Sequence, residues 1–248
     1  MNKYDKIQQL HALWDILDDA QTLLCGKRQR EAGNPTPDFS VCAADDCIDQ
    51  CDDSPAEISA MNMNQLVEAI EKCKSCGLCD TRNHPVPGKG VMKPKVMIIG
   101  EAPGAQEDAT GEPFVGRSGD YLDTWLNAIG LSRETDIFLG NIMKCRPPKN
   151  RDPSSDEQKA CIPYLLRQLE LIKPKMILCL GRVASQILLE TTTGIGRLRG
   201  QTFTYQGIPL MVTYHPSAVL RYPDKYRRPV WEDLQRVQTL LATFEDEG

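Results

Sequence analysis

The stretch KVMIIGEAPGAQEDATGEPFVG, residues 95–116, decides the fold class. Its first six residues form an apolar run of strand length that stops at Gly100. Two glycines, a proline and a cluster of acids follow. Leu122, Trp125, Leu126 and Ile129 then recur at helical spacing, with Gly130 placed to close the helix as its C-cap. An apolar strand that runs through a glycine-rich turn into a helix is the repeating unit of an α/β fold.

Working outward, three more short apolar runs have the same character: DIFLGN (136–141), KMILCLG (175–181) and PLMVTY (209–214). Each is bounded by Gly or Pro, and helical patterns lie between them. Ser154 and Glu157 form a potential capping box that opens a helix through Leu171. Further helices are expected over 62–73, Val183–Leu189 and Trp231–Phe244. Near-continuous apolar strands alternating with helices imply a sheet covered on both faces. The expectation is a three-layer α/β/α domain on a central, mostly parallel, four-stranded sheet. It occupies residues 61–248. In front of it, Ile7, Leu10, Trp14, Leu17 and Leu24 mark an amphipathic helix over 4–24. Residues 26–58 carry Gly, Pro, Ser and Asp without period and read as a linker, so 1–60 form a leader. No internal repeat or low-complexity tract occurs.

The net charge of −5 is unevenly spread. Residues 1–60 hold 5 Lys+Arg against 12 Asp+Glu, a balance of −7, and the remaining 24 against 22 leave +2. The acid thus belongs to the leader, and the domain is mildly basic with local basic clusters, which is compatible with a phosphate-contacting surface. No apolar run reaches the ~18–20 residues of a membrane span. The N-terminus lacks a charged-then-apolar signal layout, so a cytoplasmic protein is expected. Ten cysteines in such a chain read as metal ligands or free thiols rather than disulfides.

In a sheet of this kind, ligands bind at the carboxyl ends of the strands. Those ends carry Glu101, Asn141 and His215, which should meet on one rim. The turn at 100–116 is neither a P-loop, lacking Gly-Lys-Ser/Thr, nor a dinucleotide fingerprint, because the glycine spacing fails. Cys73 and Cys76, with Cys145 and Cys161 much later, supply four thiols that suit either zinc or an iron–sulfur cluster; spacing does not choose. Cys179 lies within a strand and reads as core, Cys79 as a free thiol, and Cys25, Cys42, Cys47 and Cys51 as thiols of the acidic leader.

GEAPGAQED (100–108), GEPFVGRSG (111–119), NIMKCRPPKNRDP (141–153) and HPSAVLR (215–221) resemble, in that order, the motifs of the uracil-DNA glycosylase superfamily. The closest likeness is to family 4, the bacterial and archaeal branch that carries a [4Fe–4S] cluster. The resemblance runs from about Cys73 to about Leu240 and leaves residues 1–60 outside it. It implies Cys73, Cys76, Cys145 and Cys161 as cluster ligands, and excision of uracil from single- or double-stranded DNA as the activity. Removing a base from duplex DNA requires extruding the nucleotide into a pocket, and the sugar becomes cationic as uracil leaves as an anion. Phe114 is the candidate stacking platform. Asn141 offers the acceptor and donor that match uracil's N3–H and O4. His215 can donate to O2 as a neutral imidazole, and backbone N–H groups near Ala102 and Gly104 can help hold the base. A carboxylate should face the sugar or orient water; Glu101 is favoured, with Glu107 the alternative. The best-studied branch has an Asp where this chain has Ala102, so that residue's water-activating role does not carry over.

For the DNA surface, Lys144, Arg146, Lys149 and Arg151 lie between two of the cysteines, and Ser217, Leu220 and Arg221 follow the histidine. The family's wedge, which fills the gap left by a flipped base, maps to Val219, Leu220 or Arg221. Two alternatives stand beside this reading. One is a uracil-DNA binder that does not turn over or bonds covalently to its product; the absence of His from 144–155 speaks against the covalent branch. The other is an iron–sulfur DNA-binding module of replication or repair machinery. A monomer is expected, and the sequence names no partner for the acidic leader.

Overall fold

The computed structural model describes residues 54–246. The expected helix over 4–24, most of the linker, and Cys25, Cys42, Cys47 and Cys51 lie outside the described residues. In chain order the elements are α1 (Pro55–Ala60), α2 (Met63–Lys72), β1 (Lys89–Gly90), β2 (Val96–Gly100), α3 (Ala105–Thr110), α4 (Arg117–Ala128), β3 (Ile137–Asn141) and α5 (Ser155–Ile172). There follow β4 (Met176–Leu180), α6 (Arg182–Leu188), α7 (Ile195–Leu198), β5 (Thr202–Tyr205), β6 (Ile208–Thr213), α8 (Pro216–Arg221) and α9 (Pro223–Asp246).

The sheet has six strands in the order β1-β3-β2-β4-β6-β5. Its centre is the expected parallel set of β3, β2, β4 and β6, and β1 and β5 add antiparallel edges. The two edges escape a search for apolar runs for a physical reason. β1 is two exposed residues, and β5 alternates exposed and half-buried positions, as a strand with one face in water does. The central strands are buried throughout β2, β3 and β4, so both faces must be covered. Met97, Ile99, Ile177, Cys179, Leu210 and Val212 form one face and pack with Leu165, Leu169, Ala184, Leu188 and Leu198 of α5, α6 and α7. The alternate residues face the other way, where α4, α8 and α9 pack.

The residues before Met61 were assigned to the linker, but Pro55–Ala60 are helical. Ser54 and Glu57 close a capping box, and Ile58 joins Leu66, Ile70 and Tyr164 in a small core beneath α5. The expected box at Ser154 and Glu157 also forms. The acid run after Gly104, read as loop, is the short helix α3. The last helix begins at Pro223 rather than after Pro229, which α9 contains in its interior.

Candidate functional site

β2 lies between β3 and β4: the chain passes from β2 to β3 on one side, then crosses back to β4 on the other, and this reversal opens a crevice at the carboxyl ends. A cleft of about 1530 Å³, mouth included, occupies this position. Glu101, Asn141 and His215, separated by more than a hundred residues of chain, all line it, together with Ala102, Gly104, Glu107 and Phe114.

Asn141 ends β3 directly opposite Gly100 in the parallel ladder. It is 3% exposed, and among the described residues no protein group hydrogen-bonds its side-chain amide. Its donor and acceptor open on the cleft. Room for it comes from Gly100, where a Cβ would lie 2.4 Å from Asn141 Oδ1 and 2.8 Å from Phe114 Cζ.

Phe114 is 5% exposed and takes a left-handed backbone, φ 52°, an uncommon state for an aromatic residue. Two features hold it there. Arg133 Nη2 donates to the carbonyls of Phe114 and Gly119, each at 3.0 Å, while its Nε pairs with Asp123. A Cβ at Gly119 would strike Phe114 O at 1.8 Å, so only glycine fits. Gly119 closes the GEPFVGRSG motif, but Arg133 carries no local sequence signal for this role, because its contact is made only on folding.

His215 is the N-cap of α8, and its Nδ1 accepts from the Ser217 N–H at 3.2 Å. Ser217 Oγ lies 2.8 Å from the same nitrogen. An accepting Nδ1 leaves the proton on Nε2, and burial pulls the imidazole pKa down to about 4. The ring is therefore a neutral donor at physiological pH. It lies 6.2 Å from the Phe114 ring at an interplanar angle of 27°. Behind it, Thr213 Oγ1 donates to the buried Asp233 at 2.7 Å, and Arg199 donates to the same carboxylate oxygen at 3.0 Å, tying β6 to α9.

Glu101 is half-buried, and burial, then the nearby Asp152 carboxylate, raises its pKa against the opposing pull of Arg182. Among the described residues no group hydrogen-bonds its carboxylate. Glu107 turns back over its own helix: Oε2 sits 2.6 Å from where a Gly104 Cβ would be.

The expected basic surface needs correction. Lys144 is 2% exposed, and its Nζ donates to Asn141 O at 2.8 Å and Gln168 Oε1 at 2.7 Å, so it cannot meet phosphate at the surface. Arg151 spends its guanidinium on Glu157, in two bonds of 2.8 and 2.5 Å, and holds that carboxyl down at about 2. Ser217 is engaged by His215. Val219 is fully buried and excluded as a wedge. Arg146 donates to Asn150 Oδ1, Lys149 and Arg221 are exposed, and Leu220 is half-buried. The sequence reading missed the Arg182–Asp152 pair at the cleft wall, 2.5 Å apart.

Cys73, Cys76, Cys145 and Cys161 line a second, narrow pocket, with Cys79 on the same wall. Arg82 Nη1 donates to Cys145 Sγ at 3.0 Å, and the Lys144 N–H to Cys161 Sγ at 3.2 Å. Arg82 Nη2 also donates to Cys73 O at 2.9 Å. Burial pushes the Cys161 thiol up to about 12 and raises Cys76 and Cys145, so without metal these thiols stay protonated. Among the described residues no three His, Cys, Asp or Glu side chains stand close enough to hold a single metal ion. Cys79 donates to Asp80 Oδ1, and Cys179 lies in the core as expected. No described helix is long and apolar enough to cross a membrane.

Comparison with known proteins gives one consistent result. The family model of the Uracil DNA glycosylase superfamily matches residues 87–235. A type-4 uracil-DNA glycosylase of Saccharolobus solfataricus is 43% identical over 191 residues, covering 73% of this chain and 88% of the relative. One of Archaeoglobus fulgidus is 41% identical, with 73% and 94% covered. One of Thermotoga maritima is 37% identical, with 72% and 94% covered.

Proposed function

Because the chain belongs to the uracil-DNA glycosylase superfamily, in its type-4 branch, we propose that it hydrolyses the N-glycosidic bond of deoxyuridine in DNA, releasing uracil and leaving an abasic site. The observation that carries this reading is the Asn141 amide, open on the cleft without a protein partner, on the same cleft as a neutral, donating His215 and the Phe114 ring. Uracil presents an N3–H donor flanked by O4 and O2 acceptors. Asn141 accepts from N3–H and donates to O4, and both of its unsatisfied groups are then paired. Phe114 supplies the stacking face.

As the glycosidic bond stretches, negative charge grows on uracil O2 and N1 and positive charge on the sugar. His215 Nε2–H donates to O2 and stabilises the anion, with the tautomer fixed in advance by Ser217. Of the two carboxylates, Glu101 is the one assigned to the sugar face or the attacking water, since it is half-buried on the cleft wall and has no other bond to break. Glu107 also lines the cleft, its carboxylate lying over Gly104, and is the alternative.

The [4Fe–4S] cluster is assigned to Cys73, Cys76, Cys145 and Cys161. A tetrahedral zinc at ~2.3 Å would need its sulfurs converging on one point, whereas a four-iron cube spreads its ligands across a wider cavity. The five-cysteine wall, the N–H···S bonds and the adjacent Arg82 and Lys144 cations suit an anionic thiolate cluster. Such a cluster serves here as a brace that pins residues 73–82 to the loop after Asn141. DNA is contacted along the cleft rim by Arg146, Lys149 and Arg221, with Leu220 or Arg221 as the wedge. The protein is taken to act as a monomer.

The test is release of free uracil from a single-uracil oligonucleotide by purified protein. Tight binding without release would sink the reading in favour of a non-catalytic binder.

A further inference from the structure

Most large apolar side chains of the described residues are covered; Met92 and Tyr222, 53% and 46% exposed, are the exceptions. Tyr222 sits where α8 ends and α9 begins, one residue beyond Arg221, which lines the cleft. Its backbone is locked: its N–H donates to Ala218 O at 3.0 Å, and its carbonyl accepts from Lys225 and Tyr226 at 3.2 Å each. Its ring stands edge-on to Tyr226, centroids 6.2 Å apart at 79°, and Tyr226 packs 4.3 Å from Tyr214. Tyr214 and Tyr226 both line the cleft. A run of three aromatic rings therefore leads from the residue next to His215 out to solvent.

The surroundings are cationic. Arg221, Lys225 and Arg228 are exposed, and Asp224 is the only acid from 221 to 228. Lys225 Nζ stands 5.1 Å over the Tyr226 ring, and Arg228 pairs loosely with Glu232 at 3.4 Å. A pre-set aromatic face fringed by positive charge, continuous with a base pocket, has the make-up of a single-strand stacking platform. A protein-binding patch would not need that fringe, nor continuity with the pocket.

We infer that Tyr222 is a second base-binding subsite, which stacks an unpaired nucleobase adjacent in the strand to the nucleotide held in the cleft. The inference rests on the cleft being the uracil-DNA site, and it gives this glycosylase a preference for single-stranded or locally unpaired substrate.

The test uses the full chain and a uracil-free single-stranded oligonucleotide, with binding followed by fluorescence anisotropy. Stacking contributes about 1–3 kcal/mol per base, so Tyr222→Ala should weaken single-strand binding roughly 5- to 150-fold. Tyr222→Phe should restore it, and affinity for a fully paired duplex should change much less. A 2-aminopurine beside a uracil should be quenched by the wild type and not by Tyr222→Ala. Unchanged single-strand affinity in Tyr222→Ala overturns the inference and leaves the ring to a protein partner. Equal losses on single strand and duplex also overturn it, because that pattern belongs to a backbone contact or a disturbed fold. Since the binding probe holds no uracil, failure of the wild type to release uracil would count against the glycosylase reading, not against this platform.

Discussion

Adding one methyl group at Gly100 should disable the pocket without touching any residue in it. The Cβ of Gly100→Ala would sit 2.4 Å from Asn141 Oδ1 and 2.8 Å from Phe114 Cζ. Ordinary C···O contact begins near ~3.3 Å, so the Asn141 oxygen must retreat by roughly 1 Å. A 1 Å misplacement at a reacting centre costs on the order of 10²-fold. Counting bonds gives the same scale: two hydrogen bonds to a polar edge, at about 1–1.5 kcal/mol each, correspond to a loss of roughly 30- to 150-fold. Backbone strain adds nothing, because Gly100 does not have a positive φ. Overpacking costs ~1–3 kcal/mol, a drop of a few degrees in Tm, so the protein should still fold. Gly194→Ala is the control: it introduces the same methyl where no atom lies within 4 Å. The assay is kcat/KM for uracil release from a single-uracil oligonucleotide. A folded Gly100→Ala enzyme within about threefold of wild type would refute the assignment of Asn141 as the base reader.

The other expectations concern charge, metal and base choice. His215 is held at about 4 by burial, below its ordinary ~6.5, so the ring itself should give no acid limb near 6.5, and a fall in kcat/KM above the ordinary carboxylate range belongs to Glu101, whose pKa burial raises; a limb near 6.5 that persists in Glu101→Gln would show that the ring is not so held. The same depressed value means that the folded state binds fewer protons than the unfolded chain between those limits. His215 should therefore lower stability as pH falls through that window, and His215→Asn should flatten that part of a Tm-against-pH curve. Cys145→Ala should lose the brown colour and iron and unfold at lower temperature, whereas Cys79→Ala should keep both; zinc without iron in anaerobically purified protein would contradict the cluster. Asn141→Asp should weaken uracil excision and relax rejection of cytosine, which a polar edge otherwise enforces by a factor on the order of 10⁴; full uracil activity with cytosine still ignored would count against the pocket.

Glu101, Asn141 and His215 are legible in sequence because each lies at or just beyond the end of an apolar strand, where an α/β sheet gathers its ligand contacts, whereas Phe114 lies between two helices and only its motif points to it. Asn141 and His215 were found in this way. What holds them was not legible. Arg133 reaches Phe114 across 19 residues of chain, and no pattern at either end announces it. Lys144 was misread for the complementary reason. Between Asn141 and Cys145 it looks like one more cation of a basic loop, and only the fold shows its ammonium turned inward to Asn141 O and Gln168. Charge runs report composition, not direction. The edge strands were missed because strands with a wet face lack the continuous apolar signal that reveals the buried four.

The segment from Asn141 to Cys145 has a consequence for how such an enzyme can diversify. Five consecutive residues hold an amide on the cleft wall, a lysine bonded to that residue's own carbonyl, and a thiol on the cysteine cavity. The lysine's backbone N–H also reaches Cys161. Cleft wall and cysteine cavity are thus built back to back from one piece of chain, with no spacer to absorb a change in either. Substitutions that reshape this wall would disturb both at once, so new lesion preferences have to arise on the opposite wall, between Glu101 and Ser118. That wall too has a fixed point, Phe114 under Arg133, so the side chains around it, rather than its backbone, are left to vary.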